Sequence, residues 1–165
     1  MSAQEQLYAV VWGRFIHPHS SGGGYGLVIT SARVVGSWNI PWLSSFSGYL
    51  GSDSDILPDD RTKGARGAAE LMARRDFELP RDSVTGIFFK DPGTFVSGHV
   101  TFRSDKGDFQ IDIKGGTGSD AAVGPAPPLK RALVQFAPDR AYDEATGTLL
   151  KDERPGDLPK DLLEG

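Results

Sequence analysis

The sequence predicts a mainly β protein with few helices, and three observations predict this fold class. In residues 99–114 apolar and polar side chains alternate with period two, which is typical of antiparallel strands with one exposed face. Residues 25–36 are rich in β-branched side chains around a short Ser31-Ala32 turn. The chain also has 21 Gly and 11 Pro among 165 residues, which indicates frequent turns.

The N-terminal half contains the first strands and one helix. Residues 7–16 are β-rich and open the domain, and residues 25–30 and 33–36 form the next two strands. A helical insertion is predicted near 60–76, with the helix itself over 66–75. The apolar side chains that share one face of this helix are Ala68, Leu71 and Met72.

The C-terminal half begins with a strand over 84–90, and a hairpin follows from 99–103 and 108–114. Period two predicts which hairpin side chains are buried: Val100, Phe102, Phe109, Ile111 and Ile113. An amphipathic helix is predicted over 128–137, because apolar residues recur there at helical spacing and Pro138 ends it. We therefore expect one domain over 1–137 and an acidic, flexible tail over 138–165.

Composition and charge exclude several function classes. The chain has no cysteine, so disulfides, thiolate catalysis and Cys-ligated metals are excluded. The net charge is −4, and the excess acid lies in residues 138–165, so nonspecific nucleic-acid binding and attraction to an anionic membrane are not expected. The N-terminus lacks a signal-peptide pattern and no apolar run could span a bilayer, so a cytoplasmic protein is expected.

Three segments carry short motifs that resemble one known family. They are Gly24-Tyr-Gly-Leu-Val-Ile-Thr-Ser-Ala-Arg-Val-Val-Gly36, the stretch Phe77–Ile87 and the hairpin Gly98–Ile113. Together with the order of elements, they resemble the bacterial and archaeal pleckstrin-homology-like (PH-like) domains, relatives of GRAM domains. The resemblance covers roughly residues 7–137. It implies a barrel of two near-orthogonal antiparallel sheets capped by the C-terminal amphipathic helix, which is a scaffold for binding and not for a particular reaction.

Motifs for metal, phosphate or catalytic chemistry are weak. His17, His19 and His99 could offer imidazoles to a metal, but no accompanying ligand pattern supports a site. The Gly-rich residues 22–26 lead into a strand and not a helix, so they do not match a phosphate-binding loop. Residues 53–60 have Leu57 and Pro58 where a calcium loop needs an oxygen ligand and glycine. We therefore predict no catalytic residue, no metal and no cofactor.

The aromatic-rich segment 37–50 is the candidate for partner binding, because aromatic residues are enriched in protein interfaces. The interpretation that the sequence favours is that these residues fill the barrel core, as aromatic side chains commonly do, and partner binding is the second interpretation. The predicted partner-binding residues are Trp38, Trp42, Phe46 and Tyr49. A basic group with Glu70 among it is typical of a solvated helix face: Arg61, Lys63, Arg66, Arg74 and Arg75.

The sequence thus favours a non-enzymatic binding or scaffold domain that contacts a protein partner or self-assembles into an oligomer. A small-molecule or lipid-binding β-barrel, with a cavity lined by the aromatic residues of 37–50, is the alternative.

Overall fold

A computed structural model of the chain describes residues 5–13, 16–18, 25–38, 48–51, 68–93, 96–113 and 126–150. These residues are mainly β and form two five-stranded sheets with two helices. The strands are β1 (Leu7–Gly13), β2 (Ile16–Pro18), β3 (Tyr25–Thr30), β4 (Arg33–Trp38), β5 (Gly48–Gly51), β6 (Phe77–Pro80), β7 (Val84–Lys90), β8 (Gly98–Ser104), β9 (Gly107–Ile113) and β10 (Ala141–Asp143). Helix α1 consists of residues 68–73 in the described part of the chain, and helix α2 spans Ala126–Phe136.

The first sheet has the strand order β5-β1-β3-β4-β6, and all its pairs are antiparallel. Its outer face carries a cross-strand row of three valines, Val10, Val28 and Val35, which is buried under α1. The predicted helix face is confirmed: Ala68, Leu71 and Met72 are the side chains that cover this row. Both faces of the sheet are therefore apolar, which explains why every residue of β3 is buried.

The second sheet has the order β10-β7-β8-β9-β2. The predicted β8–β9 hairpin is confirmed, since Val100 pairs with Ile111 and Phe102 with Phe109. Four of the five predicted side chains are buried, and Phe109 is half-buried against the core. The prediction that both sheets are wholly antiparallel is wrong, because β10 pairs with β7 in parallel.

The N-terminal strand differs from its prediction. The sequence predicts one strand over 7–16, but β1 pairs with β3 in the first sheet and β2 pairs with β9 in the second. The chain therefore passes from one sheet to the other between these two strands. Ile16, the first residue of β2, is fully buried in the core that both sheets share.

Helix α2 packs against β1, β3 and β5, and its apolar stripe belongs to the main core. The buried side chains of this stripe are Leu129, Ala132, Leu133 and Phe136. Arg81 donates its Nε–H to the carbonyl oxygen of Phe136 at 2.9 Å, which satisfies a carbonyl that the end of the helix leaves without an intrahelical partner. Pro138 follows directly after Ala137 and cannot continue the helix.

Residues 138–150 contribute β10 to the second sheet, although the sequence predicts them as part of a flexible tail. Ala141 and Leu150 are buried in the main core. Gly147, at φ +71°, makes a tight turn that returns residues 148–150 alongside β10. The apolar pairs Ala141-Tyr142 and Leu149-Leu150, separated by a mostly polar turn, are too short a pattern to predict a strand. The remainder of the predicted tail, 151–165, lies outside the described residues.

Candidate interaction surface

The two sheets differ in what lies on their outer faces. Helix α1 covers the outer face of the first sheet. On the second sheet, the described side chains that point away from the core are half-buried or exposed, as for Phe88 and Arg103. We call this surface the outer face of the second sheet.

An aromatic row crosses this face. The rings of Phe88 on β7 and Tyr142 on β10 stack with centroids 5.7 Å apart at an angle of 22°. The Arg103 guanidinium on β8 lies 4.9 Å from the centre of the Phe88 ring, within the range of a cation–π interaction. Leu149 pairs with Tyr142 and extends the row to the edge of the sheet. Aromatic residues and arginine are the types enriched in protein interfaces.

A polar row lies beside the aromatic row. Lys90, His99, Asp112 and His17 are successive partners across β7, β8, β9 and β2. His99 Nε2 contacts a carboxylate oxygen of Glu144, whose backbone N–H donates to the carbonyl of Phe89 at 2.9 Å. The row mixes both charge signs, so it favours polar contacts at the rim of an interface.

Metal ligation has no support at this row. Among the residues that the structure describes, no group of three or more His, Asp or Glu side chains is close enough to hold a metal ion. His17 and His99, two of the three histidines considered from sequence, are separated by the strand that carries Asp112. His19 lies outside the described residues.

The edge of the second sheet at residues 148–150 has open backbone groups. Asp143 N–H donates to the Thr148 carbonyl and Leu150 N–H donates to the Ala141 carbonyl, both at 2.8 Å. In this antiparallel pattern the N–H and C=O of Leu149 point away from β10. Neither group forms a hydrogen bond within the described part of the chain, and the Leu149 side chain is 46% exposed.

Trp38, the first of the predicted partner-binding residues, is 42% exposed at the end of β4. Its ring contacts Tyr25 edge-on at 5.6 Å, and Tyr25 stacks on Phe77, which reaches Phe109 of the second sheet. Burial, then the charge and hydrogen bond of Asp76, raise the pKa of the Tyr25 hydroxyl. Trp38 is therefore connected to the core through these ring contacts, although its own side chain is partly exposed.

The structure does not bring the predicted aromatic group together within its described residues. Tyr49 lies on β5, which is separated from β4 by β1 and β3, and it pairs with Val11. Trp42 and Phe46 lie outside the described residues. The prediction that these four residues form one partner-binding site therefore stays a prediction.

The Thr30–Arg33 turn, which carries part of the family resemblance, has a structural role. The Thr30 hydroxyl accepts the N–H groups of Ala32 and Arg33, both at 3.1 Å, and donates to Glu5 at 2.6 Å. Arg33 also donates to Glu78 and Glu5, at 2.7 and 2.9 Å, and these hydrogen bonds raise the pKa of its guanidinium. The motif therefore ties the N-terminus to the β3–β4 turn and to β6.

Two members of the predicted basic group lie at the end of α1. Arg74 and Arg75 are both exposed, and Arg75 pairs with Glu78 at 3.0 Å. This placement agrees with a solvated helix face. The other three members, at 61, 63 and 66, lie outside the described residues.

Sequence reasoning missed most of the aromatic row. Phe88 and Arg103 each lie beside a strand residue whose side chain is buried in the core. Because successive side chains of a strand point to opposite faces, their outward position could have been found from the sequence alone. Tyr142 and Leu149 could not, because they lie in a segment whose pairing is set by a turn and by two buried residues, Ala141 and Leu150.

Comparisons with family models and with curated proteins give no relative from which a function could be transferred. No family model matches the chain, and no curated protein matches it. Within the described residues, no helix is long and apolar enough to cross a membrane.

Proposed function

We propose that the chain is a non-enzymatic, PH-like binding or scaffold domain that acts through protein contacts, with a protein partner or with further copies of itself. The observation that carries this proposal is the aromatic row on the outer face of the second sheet. A sheet that buries one face and exposes the other normally places polar side chains on the exposed face. Here Phe88, Tyr142 and Leu149 stand in one line with Arg103 beside them.

The PH-like assignment is supported by the order of elements. Two β-sheets share one core, and an amphipathic helix follows the β8–β9 hairpin and contributes its apolar stripe to that core. We propose that α2 acts as the cap of a barrel-like arrangement. The β10 strand is then an addition that extends the second sheet and completes the aromatic row with Tyr142.

Protein contact is favoured over the alternative of a small-molecule or lipid-binding barrel by how the core is filled. Tyr25, Phe89, Phe102 and Phe136 are all fully buried and belong to the main core. Large aromatic side chains thus fill part of the core that both sheets share, which leaves less room there for an enclosed ligand. No specific observation in the described residues favours the alternative.

Two measurements on the full chain test the proposal. Light scattering coupled to size-exclusion chromatography gives the solution mass across concentration, and a thermal-shift screen with lipids and small metabolites reports ligand binding by mass action. We expect an associated species and no ligand that raises the melting temperature in a saturable way. A constant monomer mass together with saturable stabilisation by one ligand class would refute the proposal and favour the alternative.

A further inference from the structure

We propose that residues 148–150 form a strand-addition edge through which two copies of this chain pair antiparallel about a twofold axis at Leu149. This inference deepens the proposed function, on which it rests, by naming the partner as a second copy and locating the contact. It follows from the backbone hydrogen bonds at this edge, from the exposure of Leu149 and from the aromatic row that ends there.

The backbone at Leu149 has the geometry that strand addition requires. The hydrogen bonds of its two neighbours are directed to β10, while its own N–H and C=O point outward and form no hydrogen bond within the described residues. An unpaired edge of this kind is a template for another strand. One added strand would satisfy both groups of Leu149.

A second copy fits this edge by symmetry. In an antiparallel hydrogen-bonded pair, two opposed residues exchange both N–H···O bonds. When the two residues are Leu149 and its symmetry mate, each chain donates one bond and accepts one, so a single twofold operator satisfies all four groups. Successive neighbours then pair as Thr148 with Leu150 of the second copy, which sets no like charges opposite each other.

The side chains support the same pairing. Leu149 pairs with Tyr142, so its side chain lies on the outer face beside the aromatic row. In the dimer the two leucines would lie opposite each other on that face, about 5.5 Å apart at Cα. The row would then run without interruption from Arg103 of one copy to Arg103 of the other, and a leucine that is 46% exposed in one copy would be covered.

A charge swap at residue 149 tests the proposal, because in a twofold contact this residue meets its own symmetry mate. Leu149→Glu and Leu149→Lys each place like charges opposite each other, which is destabilising, and should weaken self-association about tenfold. Mixing the two variants places Glu opposite Lys and should restore the dimer. Both changes lie on an exposed edge, so the fold should be retained, and circular dichroism checks this.

The matched control is Val96→Glu, because Val96 is another exposed apolar residue, at 52%, on the loop between β7 and β8. Sedimentation velocity should show the mass rising with concentration from one chain, 17.7 kDa, to two for wild type and for Val96→Glu. For each Leu149 variant alone the same rise in mass should need about tenfold higher concentration, and for their mixture it should return to the wild-type range.

Two results would overturn the edge proposal. Wild type that stays monomeric at millimolar concentration would exclude the dimer, and association unaffected by either Leu149 variant would place the contact elsewhere. In the second case the proposed function stands, since the chain still self-associates. In the first case the ligand screen decides separately whether the proposed function also fails. Failure of the edge proposal and failure of the proposed function are therefore distinguishable.

Discussion

Gly36→Ala is a direct probe of how the two sheets meet beside Trp38. A Cβ at this position would lie 2.0 Å from Cε1 and 2.7 Å from Cζ of the Phe77 ring, and 2.8 Å from Cε1 of Tyr25. Real Cβ atoms essentially never approach so closely, so a ring must move. The Phe77 ring lies between the rings of Tyr25 and Phe109, with centroid-to-centroid distances of 6.5 Å and 3.9 Å. Its movement therefore disturbs both contacts.

The expected cost is that of overpacking a filled core, about 1–3 kcal/mol of the free energy of unfolding. For a chain of this length each kcal/mol corresponds to roughly 2–4 °C, so the melting temperature should fall by about 2–12 °C. Urea denaturation followed by circular dichroism measures the free energy, and differential scanning calorimetry measures the melting temperature.

A double-mutant cycle with Phe77→Leu isolates the cause. The smaller side chain leaves room for the added methyl group, so Gly36→Ala should cost at least about 0.5 kcal/mol less in that background. Equal costs in both backgrounds would refute the argument that Gly36 is required for the approach of Phe77. A Gly36→Ala protein as stable as wild type would refute the packing geometry itself.

Three further predictions concern the core, the β3–β4 turn and the buried phenol. Leu133→Ala should lower the free energy of unfolding by about 2–5 kcal/mol in urea titrations, because Leu133 is fully buried, and an unchanged midpoint would contradict its place in the core. Thr30→Val should cost about 1–3 kcal/mol in the same assay, because it leaves two turn N–H groups and Glu5 without the hydroxyl, whereas a neutral effect would remove its structural role. Because the pKa of Tyr25 is raised in the folded protein, the folded state holds the phenol proton more tightly than the unfolded chain does. The neutral phenol therefore contributes its full stabilisation below its ordinary pKa of about 10, and this contribution is lost as the pH rises above that value. Tyr25→Phe should therefore flatten the alkaline fall in stability, and an unchanged slope would contradict the burial of the phenol.

Local patterns could be predicted where one buried face decides the structure. The β8–β9 hairpin has strict alternation and a short turn, so its register follows from which side chains must avoid water. The same reasoning placed Ala68, Leu71 and Met72 on the buried face of a helix, although the row of valines beneath them could not be anticipated. That row requires three strands to be in register across a sheet, which no single segment encodes.

Features that depend on pairing between distant segments were not predictable from the sequence. The parallel β7–β10 pair joins residues more than 50 positions apart, and the segment that contains β10 has only two short apolar pairs, Ala141-Tyr142 and Leu149-Leu150, as a pattern. The aromatic row arises from this pairing, because Tyr142 reaches Phe88 only when β10 lies in the sheet. Sequence reasoning therefore pointed to Trp38 and its neighbours in the sequence, and not to the row on the second sheet.

The central claim, that this chain makes protein contacts through the outer face of the second sheet, is tested most directly by an NMR dilution series of the ¹⁵N-labelled full chain. Association should shift the amide signals of Phe88, Tyr142 and Leu149 with concentration, while the side-chain signal of the Trp38 indole and the α1 amides stay constant. Concentration-dependent shifts confined to Trp38 and its neighbours, with the second sheet unaffected, would contradict the claim.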